Sequence, residues 1–251
     1  MTKRKLAKFA ELKILPNVVE VSYDDLQKGP VELKGNWGSR FFENDFPIVL
    51  ELGCGKGEYT VGLAEKFPGK NFIGIDIKGS RIWTGAKASY DKGLKNAGFL
   101  RTYVELLPAF FAAGEVSEIW ITFPDPQMKK QRKRLTSTSL IEHYCKVMRP
   151  GGVIHLKTDS NFLFQYTSAM IHHNGFAVEI ETDDLYGSPY ADEIMGIKTY
   201  YEQQWLSRGI KIKYLRFIPH NINLEEPEIE IPKDEYRSFG RNKRSMVVKH
   251  E

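Results

Sequence analysis

Along most of this chain, short unbroken apolar runs alternate with stretches whose apolar residues recur at helical spacing, and polar turn residues separate the two. A strand covered on both faces has to be apolar throughout, so the pattern predicts a parallel sheet packed between layers of helix. Strands are predicted near 48–52, 71–76, 98–103, 117–122, 152–158, 176–180 and 211–217. Helices are predicted over Glu58–Phe67, Ser80–Lys92, Leu106–Ala112, Leu135–Met148 and Asn161–His173, with Pro68 and Pro150-Gly151-Gly152 as stop signals. The expected fold is α/β: a doubly wound, Rossmann-like, seven-stranded, mostly parallel sheet with helices on both faces. Residues 48–217 form its domain. Residues 1–47, which include Gly35-Asn36-Trp37, show too little periodicity for a separate unit and read as a lead-in. Residues 218–251 read as an appendage that turns from acidic, around Glu225-Glu226-Pro227-Glu228, to basic, from Arg237 through Lys249.

Composition narrows the class only slightly. The chain has 251 residues, enough for a full core, and its 36 basic and 32 acidic residues give a net charge of +4, so a nucleic-acid signal has to come from clustering. Two cysteines, Cys54 and Cys145, make neither a disulfide framework nor a zinc quartet, and no metal site is predicted. The N-terminus lacks the apolar core of a signal peptide, and no run reaches the ~18 apolar residues of a membrane span, which points to a soluble, cytoplasmic protein without a membrane partner.

The first chemical signal closes the first strand. Val49-Leu50-Glu51-Leu52 runs into Gly53-Cys54-Gly55-Lys56-Gly57, and Asp76 ends the second strand, 19 residues beyond Gly57. Glycines just past a strand end let the backbone turn sharply and approach a ligand where a Cβ would obstruct it. The dinucleotide fingerprint is G-x-G-x-x-G, whereas this chain has G-x-G-x-G with an acid two residues before the first glycine. That pattern resembles the S-adenosyl-L-methionine-dependent methyltransferases. The resemblance implies that the loop of Gly53 and Gly55 passes the methionyl part of the cofactor and that Asp76 accepts from both ribose hydroxyls. A tight turn in an α/β protein with no ligand is the plainer alternative.

The second signal closes the fourth strand. Ile119-Trp120-Ile121-Thr122-Phe123 leads into Pro124-Asp125-Pro126, then Lys129-Lys130-Gln131-Arg132-Lys133-Arg134. Ligands of open α/β sheets bind outside the carboxyl ends of the strands, so Asp125 is expected to face the same crevice as the glycine loop. Two flanking prolines stiffen the loop and fix the direction of the carboxylate. The five cations after it suit a phosphate backbone, each neutralised phosphate adding roughly 0.7 to 0.9 to the slope of log affinity against log salt. A basic run can equally be a solvated face, and Pro-Asp-Pro an ordinary turn; adjacency at a strand end favours a site.

With Phe123-Pro124-Asp125-Pro126, the basic segment, Thr158-Asp159 ending the fifth strand and Thr199-Tyr200-Tyr201-Glu202 in view, residues 45 to 217 resemble the tRNA (guanine-N7)-methyltransferases. The resemblance implies tRNA as partner, Glu51 and Asp76 as cofactor acids, Asp125 as the active-site residue, which also borders the cofactor, and Lys129, Asp159, Thr199, Tyr200, Tyr201 and Glu202 as substrate contacts. The chain departs from the family pattern twice. Thr102 stands where many members have an acid after the third strand, within reach of the adenine, and Gln127 stands where many have an aromatic residue. Guanine N7 carries a lone pair and no proton, so methylation there needs positioning rather than a base. Asp125 is expected to accept from guanine N1–H and the exocyclic amine, an edge that adenine does not offer. Amino-group methyltransferases typically carry Asp/Asn/Ser-Pro-Pro-aromatic at this strand end, a further reason to expect a ring nitrogen.

Several residues keep two readings. Asp159 either contacts base or ribose or caps the helix that follows, and Thr199 and Glu202 either close the pocket or line the polar face of a short helix. His143, His155, Trp83, Trp120 and Trp205 read as structural, and Trp37 as packing or a stacking surface. The rival functions are methylation of another RNA base or a small molecule, and a non-catalytic RNA-binding subunit with this fold. Oligomeric state, monomer or homodimer, is left open.

Overall fold

The structure is a computed structural model that describes residues 3–29, 31–191, 196–220 and 223–235. Its elements in chain order are α1 (Lys3–Leu12), β1 (Val18–Glu20), α2 (Tyr23–Lys28), a π-helical turn (Trp37–Phe42), β2 (Ile48–Leu52), α3 (Glu58–Lys66), β3 (Asn71–Asp76), α4 (Gly79–Asp91), β4 (Ala97–Arg101), α5 (Leu107–Phe110), β5 (Val116–Thr122), α6 (Thr138–Cys145), β6 (Met148–Thr158), α7 (Asn161–His173), β7 (Ala177–Thr182), α8 (Tyr200–Leu206) and β8 (Lys213–Ile218). Among the described residues eight strands form one sheet in the order β1-β4-β3-β2-β5-β6-β8-β7, all parallel up to β6, with β8 antiparallel to both β6 and β7.

Seven of these strands are those the pattern predicts; the eighth corrects the count. β1 is only three half-buried residues, too short to show a period, and it exists because Val18 and Val19 pair in register with Phe99 and Leu100 of β4. An ion pair of 2.7 Å between Glu20 and Arg101 closes that edge. The expected helix over Leu135–Met148 contracts to α6, and Leu106–Ala112 contracts to α5, because Phe111 turns extended (φ −122°, ψ 139°). Pro150-Gly151-Gly152 does not stop an element. It lies inside β6, where the pairing with β5 jumps from Val116–Met148 to Glu118–Val153, so the extra residues are absorbed in a bulge.

The side chains of the central strands divide by period two between two cores. Leu50, Leu52, Ile73, Ile75, Ile119, Ile121, Ile154 and Leu156 meet α5, α6 and α7 on one face. Val49, Phe72, Trp120 and Tyr214 meet Tyr59, Leu63 and Ala64 of α3 on the other, with Trp205 and Leu206 of α8 against them. Trp37 joins the first core, wholly buried, stacked 5.1 Å from Phe111 and donating from Nε1 to the Phe110 carbonyl, which makes it a packing residue. The chain leaves β2 toward β3 and β5 toward β6, in opposite directions across the sheet, so a topological switch point lies between β2 and β5.

Candidate active site

At that switch point the loops after β2 and β5 stand side by side, since Leu52 pairs with Ile121. Gly53, Gly55 and Gly57 all have left-handed backbones, φ +70°, +58° and +69°. Their reasons differ. A Cβ on Gly55 would meet nothing nearer than 3.9 Å, so the space above the loop is open, whereas one on Gly57 would lie 2.6 Å from the Phe99 ring and 3.3 Å from Gly85 Cα, where α3, α4 and β4 pack together.

Two carboxylates hold this loop. Asp76, half-buried at the end of β3, accepts from the Gly55 N–H at 3.0 Å with Oδ2 and from the Lys78 N–H at 2.8 Å with Oδ1, so each oxygen retains acceptor capacity. Glu51 is buried beneath it. Its Oε2 accepts from the Thr60 N–H at 2.8 Å and hydroxyl at 2.5 Å, and its Oε1 from the Thr122 hydroxyl at 2.6 Å, so it fastens β2, α3 and β5 together. Burial pushes its carboxyl up to about 7, although hydrogen bonds from Thr122 and Thr60 oppose the rise. Thr102 is buried one residue past β4, beside the strand that carries Asp76.

Asp125 is exposed, and its Oδ1 accepts from the Gln127 N–H at 3.0 Å. The corner is fixed at both ends by non-glycine residues in left-handed conformation, Phe123 (φ +48°) and Gln127 (φ +46°). Such backbones are costly and persist where the surroundings enforce them, often at functional sites. The Phe123 N–H is tied to the Lys157 carbonyl of β6 at 2.8 Å. The segment then returns over the glycine loop: a Cβ on Gly53 would lie 3.5 Å from Leu135.

The basic segment divides. Lys129, Lys130, Arg132 and Lys133 are exposed, but Arg134 is buried, its guanidinium 4.2 Å from the Tyr166 ring centre and 4.8 Å from that of Phe162. Four cations, not five, are therefore available to a phosphate backbone, because the fifth stacks on α7.

The remaining candidates lie deeper. Asp159 is fully buried, and the adjacent Ser160 caps α7, accepting from the Leu163 N–H at 3.0 Å, so Asp159 is not the helix cap. Lys213 Nζ donates to the Asp159 carbonyl at 2.9 Å. Thr199 is the cap of α8, accepting from the Glu202 N–H. Glu202 turns inward. It is fully buried, and its Oε1 meets Lys157 Nζ at 2.9 Å and the Tyr186 hydroxyl at 2.5 Å, while its Oε2 accepts no hydrogen bond. Tyr200 and Tyr201 are half-exposed; the Tyr200 N–H donates to Glu58 at the start of α3, and Lys56 of the glycine loop sits 4.9 Å over the Tyr200 ring. The start of α8 thus lies against the glycine loop and the start of α3.

Lys157 is the residue that sequence reasoning missed, although a lysine inside the apolar run of β6 was a signal that a buried partner existed. His155 and Trp120, which the sequence reads as structural, are both buried. They stack at 3.8 Å in the wall of a separate cavity of about 350 Å³. There Glu118 accepts from Trp120 Nε1 at 2.6 Å and Lys70 Nζ at 2.8 Å. Among the described residues no group of three metal-ligating side chains converges, and no helix is long and apolar enough to cross a membrane.

The fold is shared with solved methyltransferase structures. The 16S rRNA methyltransferase KamB is similar with a TM-score of 0.56 at 18% identity, over 80% of this chain and 96% of that one. A 30S ribosomal A1408 methyltransferase from an uncultured bacterium is similar with a TM-score of 0.54 at 15% identity, over 80% and 96%. At these identities the likeness concerns the fold. A family model described as putative methyltransferase matches residues 45–215. Sequence similarity reaches further: tRNA (guanine-N(7)-)-methyltransferase of Bacteroides fragilis is 58% identical over 98% of both chains. The protein of that name from Porphyromonas gingivalis is 56% identical over 94% of this chain and 99% of its own. The one from Christiangramia forsetii is 51% identical over 86% and 98%. With likeness of this degree along almost its whole length, the chain belongs to the tRNA (guanine-N(7)-)-methyltransferase family.

Proposed function

We propose that this chain transfers a methyl group from S-adenosyl-L-methionine to N7 of a guanine in the variable loop of tRNA, in the crevice between the ends of β2 and β5. The observation that carries the reading is the exposed Asp125 carboxylate, held in a stiff, strained corner on the strand next to an open glycine loop.

The residues present fit the cofactor. Asp76 keeps acceptor capacity on both oxygens, which suits a pair of ribose hydroxyls, and Gly55 leaves its side-chain space open while Leu135 borders that of Gly53. The unpartnered Oε2 of Glu202, behind the start of α8, suits a cationic or N–H donor. Thr102 borders the adenine, and Glu51 acts from below by holding the loop's shape.

The cofactor supplies an electrophilic methyl on sulfonium, and guanine N7 supplies the lone pair. No proton leaves N7, so the protein's contribution is alignment: bringing methyl carbon and N7 to about 3–3.5 Å in line accounts for several kcal/mol of barrier reduction. Asp125 accepts from guanine N1–H and the exocyclic amine, turning N7 toward the sulfur. Adenine presents an acceptor at N1, and leaving the carboxylate facing it costs orders of magnitude in selectivity. Lys129 and its exposed neighbours meet phosphates, while Tyr200 and Tyr201 flank the entrance and Thr199, Glu202 and Asp159 shape its inner wall. A tRNA substrate suits a cytoplasmic protein.

The test is mass spectrometry of nucleosides from unmodified tRNA incubated with protein and S-adenosyl-L-methionine. We expect 7-methylguanosine, and for Asp125→Ala at saturating cofactor a loss of about 100-fold in turnover. Turnover within twofold of wild type would remove Asp125 from the mechanism. With radiolabelled cofactor, label in small metabolites but none in tRNA would favour another acceptor, and failure to bind the cofactor by calorimetry a non-catalytic subunit.

A further inference from the structure

One carboxylate outside the site collects four hydrogen bonds from three places in the fold. Glu226 Oε2 accepts from Gln131 Nε2 at 2.7 Å and from the Tyr166 hydroxyl at 2.5 Å. Its Oε1 accepts from the Thr138 hydroxyl at 2.8 Å and the Thr138 N–H at 3.2 Å. Gln131 opens the 3-10 turn Gln131–Lys133 in the middle of the basic segment. Thr138 is the first residue of α6, whose own Ser137 makes no side-chain cap, so Glu226 places a negative charge at that terminus. Tyr166 is the α7 ring that carries Arg134. Burial opposes ionisation of Glu226, but the bonds from Tyr166, Gln131 and Thr138 outweigh it and hold its carboxyl below the ordinary range. The tail is anchored on both sides of this point. Asn174 exchanges two 2.8 Å hydrogen bonds with the Glu225 backbone, and Asp234 accepts from the Ser160 hydroxyl and the Phe162 N–H.

A single 3-10 turn is weak by itself, and the four exposed cations in it and just before it repel one another. Its conformation therefore depends on anchors from elsewhere. Glu226 grips Gln131 directly, and through Tyr166 it steadies the ring on which Arg134 stacks, so both ends of the turn are tied to the same carboxylate.

We propose that Glu226 is a positioning residue for tRNA, holding the turn so that Lys129, Lys130, Arg132 and Lys133 stand as a preformed cationic surface beside Asp125. This rests on the tRNA reading above. Preorganisation removes an ordering cost from binding, so its loss appears in tRNA affinity rather than in the methyl-transfer step.

The experiment compares Glu226→Ala, Gln131→Leu and the double variant in the full chain. For Glu226→Ala we expect the KM for tRNA to rise about fivefold to tenfold, with kcat and cofactor affinity within about twofold of wild type. Limited trypsin digestion should cut between 129 and 134 several times faster than in wild type, with other sites unchanged. Gln131→Leu, which leaves the α6 cap intact, should reproduce most of both effects, and the double variant should add little. A silent Gln131→Leu, additive effects, or accelerated cleavage spread over the whole chain would make Glu226 a general anchor of the tail and overturn the proposal. The cleavage measurement needs no substrate, so it decides the role of Glu226 even if the methyl acceptor is not tRNA.

Discussion

Glu51 shows how much a single side chain's surroundings alter its part. From sequence it is one of two cofactor acids, equivalent to Asp76. In the fold Asp76 borders the open crevice, whereas Glu51 is enclosed and bonded to Thr60 and Thr122. Because its carboxyl is raised to about 7 in the folded state, the fold binds that proton more tightly than the unfolded chain does. Its contribution to stability is therefore greatest at low pH and declines as pH rises from the ordinary carboxyl range through about 7. Glu51→Gln, which keeps an acceptor for Thr60 and a donor for Thr122, should flatten that decline, and the variant should be more stable than wild type at pH 8 by urea denaturation across pH. Equal pH slopes for the two proteins would mean that Glu51 is not the group responsible. Glu226 was legible only as part of an acidic stretch, since its partners lie 60 to 95 residues away in the chain.

At the scale of the element, the basic segment illustrates what a charge run conceals. Lys129, Lys130, Arg132 and Lys133 are solvated and Arg134 is a packing residue, a division that depends on where Phe162 and Tyr166 of α7 fall. Lys129→Ala with Lys130→Ala should lower the slope of log affinity for tRNA against log salt by about 1.5. Arg134→Ala should leave that slope almost unchanged and instead cost about 1–2 kcal/mol of folding stability. Salt titrations of binding and denaturant melts distinguish the two, and an equal slope change in both variants would refute the division. The long elements were legible because a buried parallel strand has to be apolar and a helix against it periodic. β1 was not, because three residues carry no period and its pairing partner is some 80 residues away.

For the whole molecule, the Lys157–Glu202 pair joins the sheet to α8. Both side chains are fully buried. Lys157→Met alone strands the Glu202 charge and should cost about 3–5 kcal/mol, whereas adding Glu202→Leu should return the urea midpoint most of the way. A double variant as unstable as Lys157→Met would show that the pair contributes more than mutual neutralisation.

The amino-acid sequence by itself determined the parallel α/β core, the glycine turn after its first strand and the stiff Pro-Asp-Pro corner, since each follows from local rules: apolar runs, permitted φ values and proline geometry. It also carried enough motif to indicate the family. Only the tertiary structure decided that β2 and β5 are neighbours, that Glu51 supports the loop from beneath while Asp76 borders the crevice, that Arg134 is withdrawn, and that Glu202 and Asp159 face inward. The tail's grip on the basic turn belongs to the same class. The physical reason is common to all of these: each depends on which distant groups remove a side chain from water and satisfy its hydrogen bonds, and that is settled by packing rather than by any neighbouring residue.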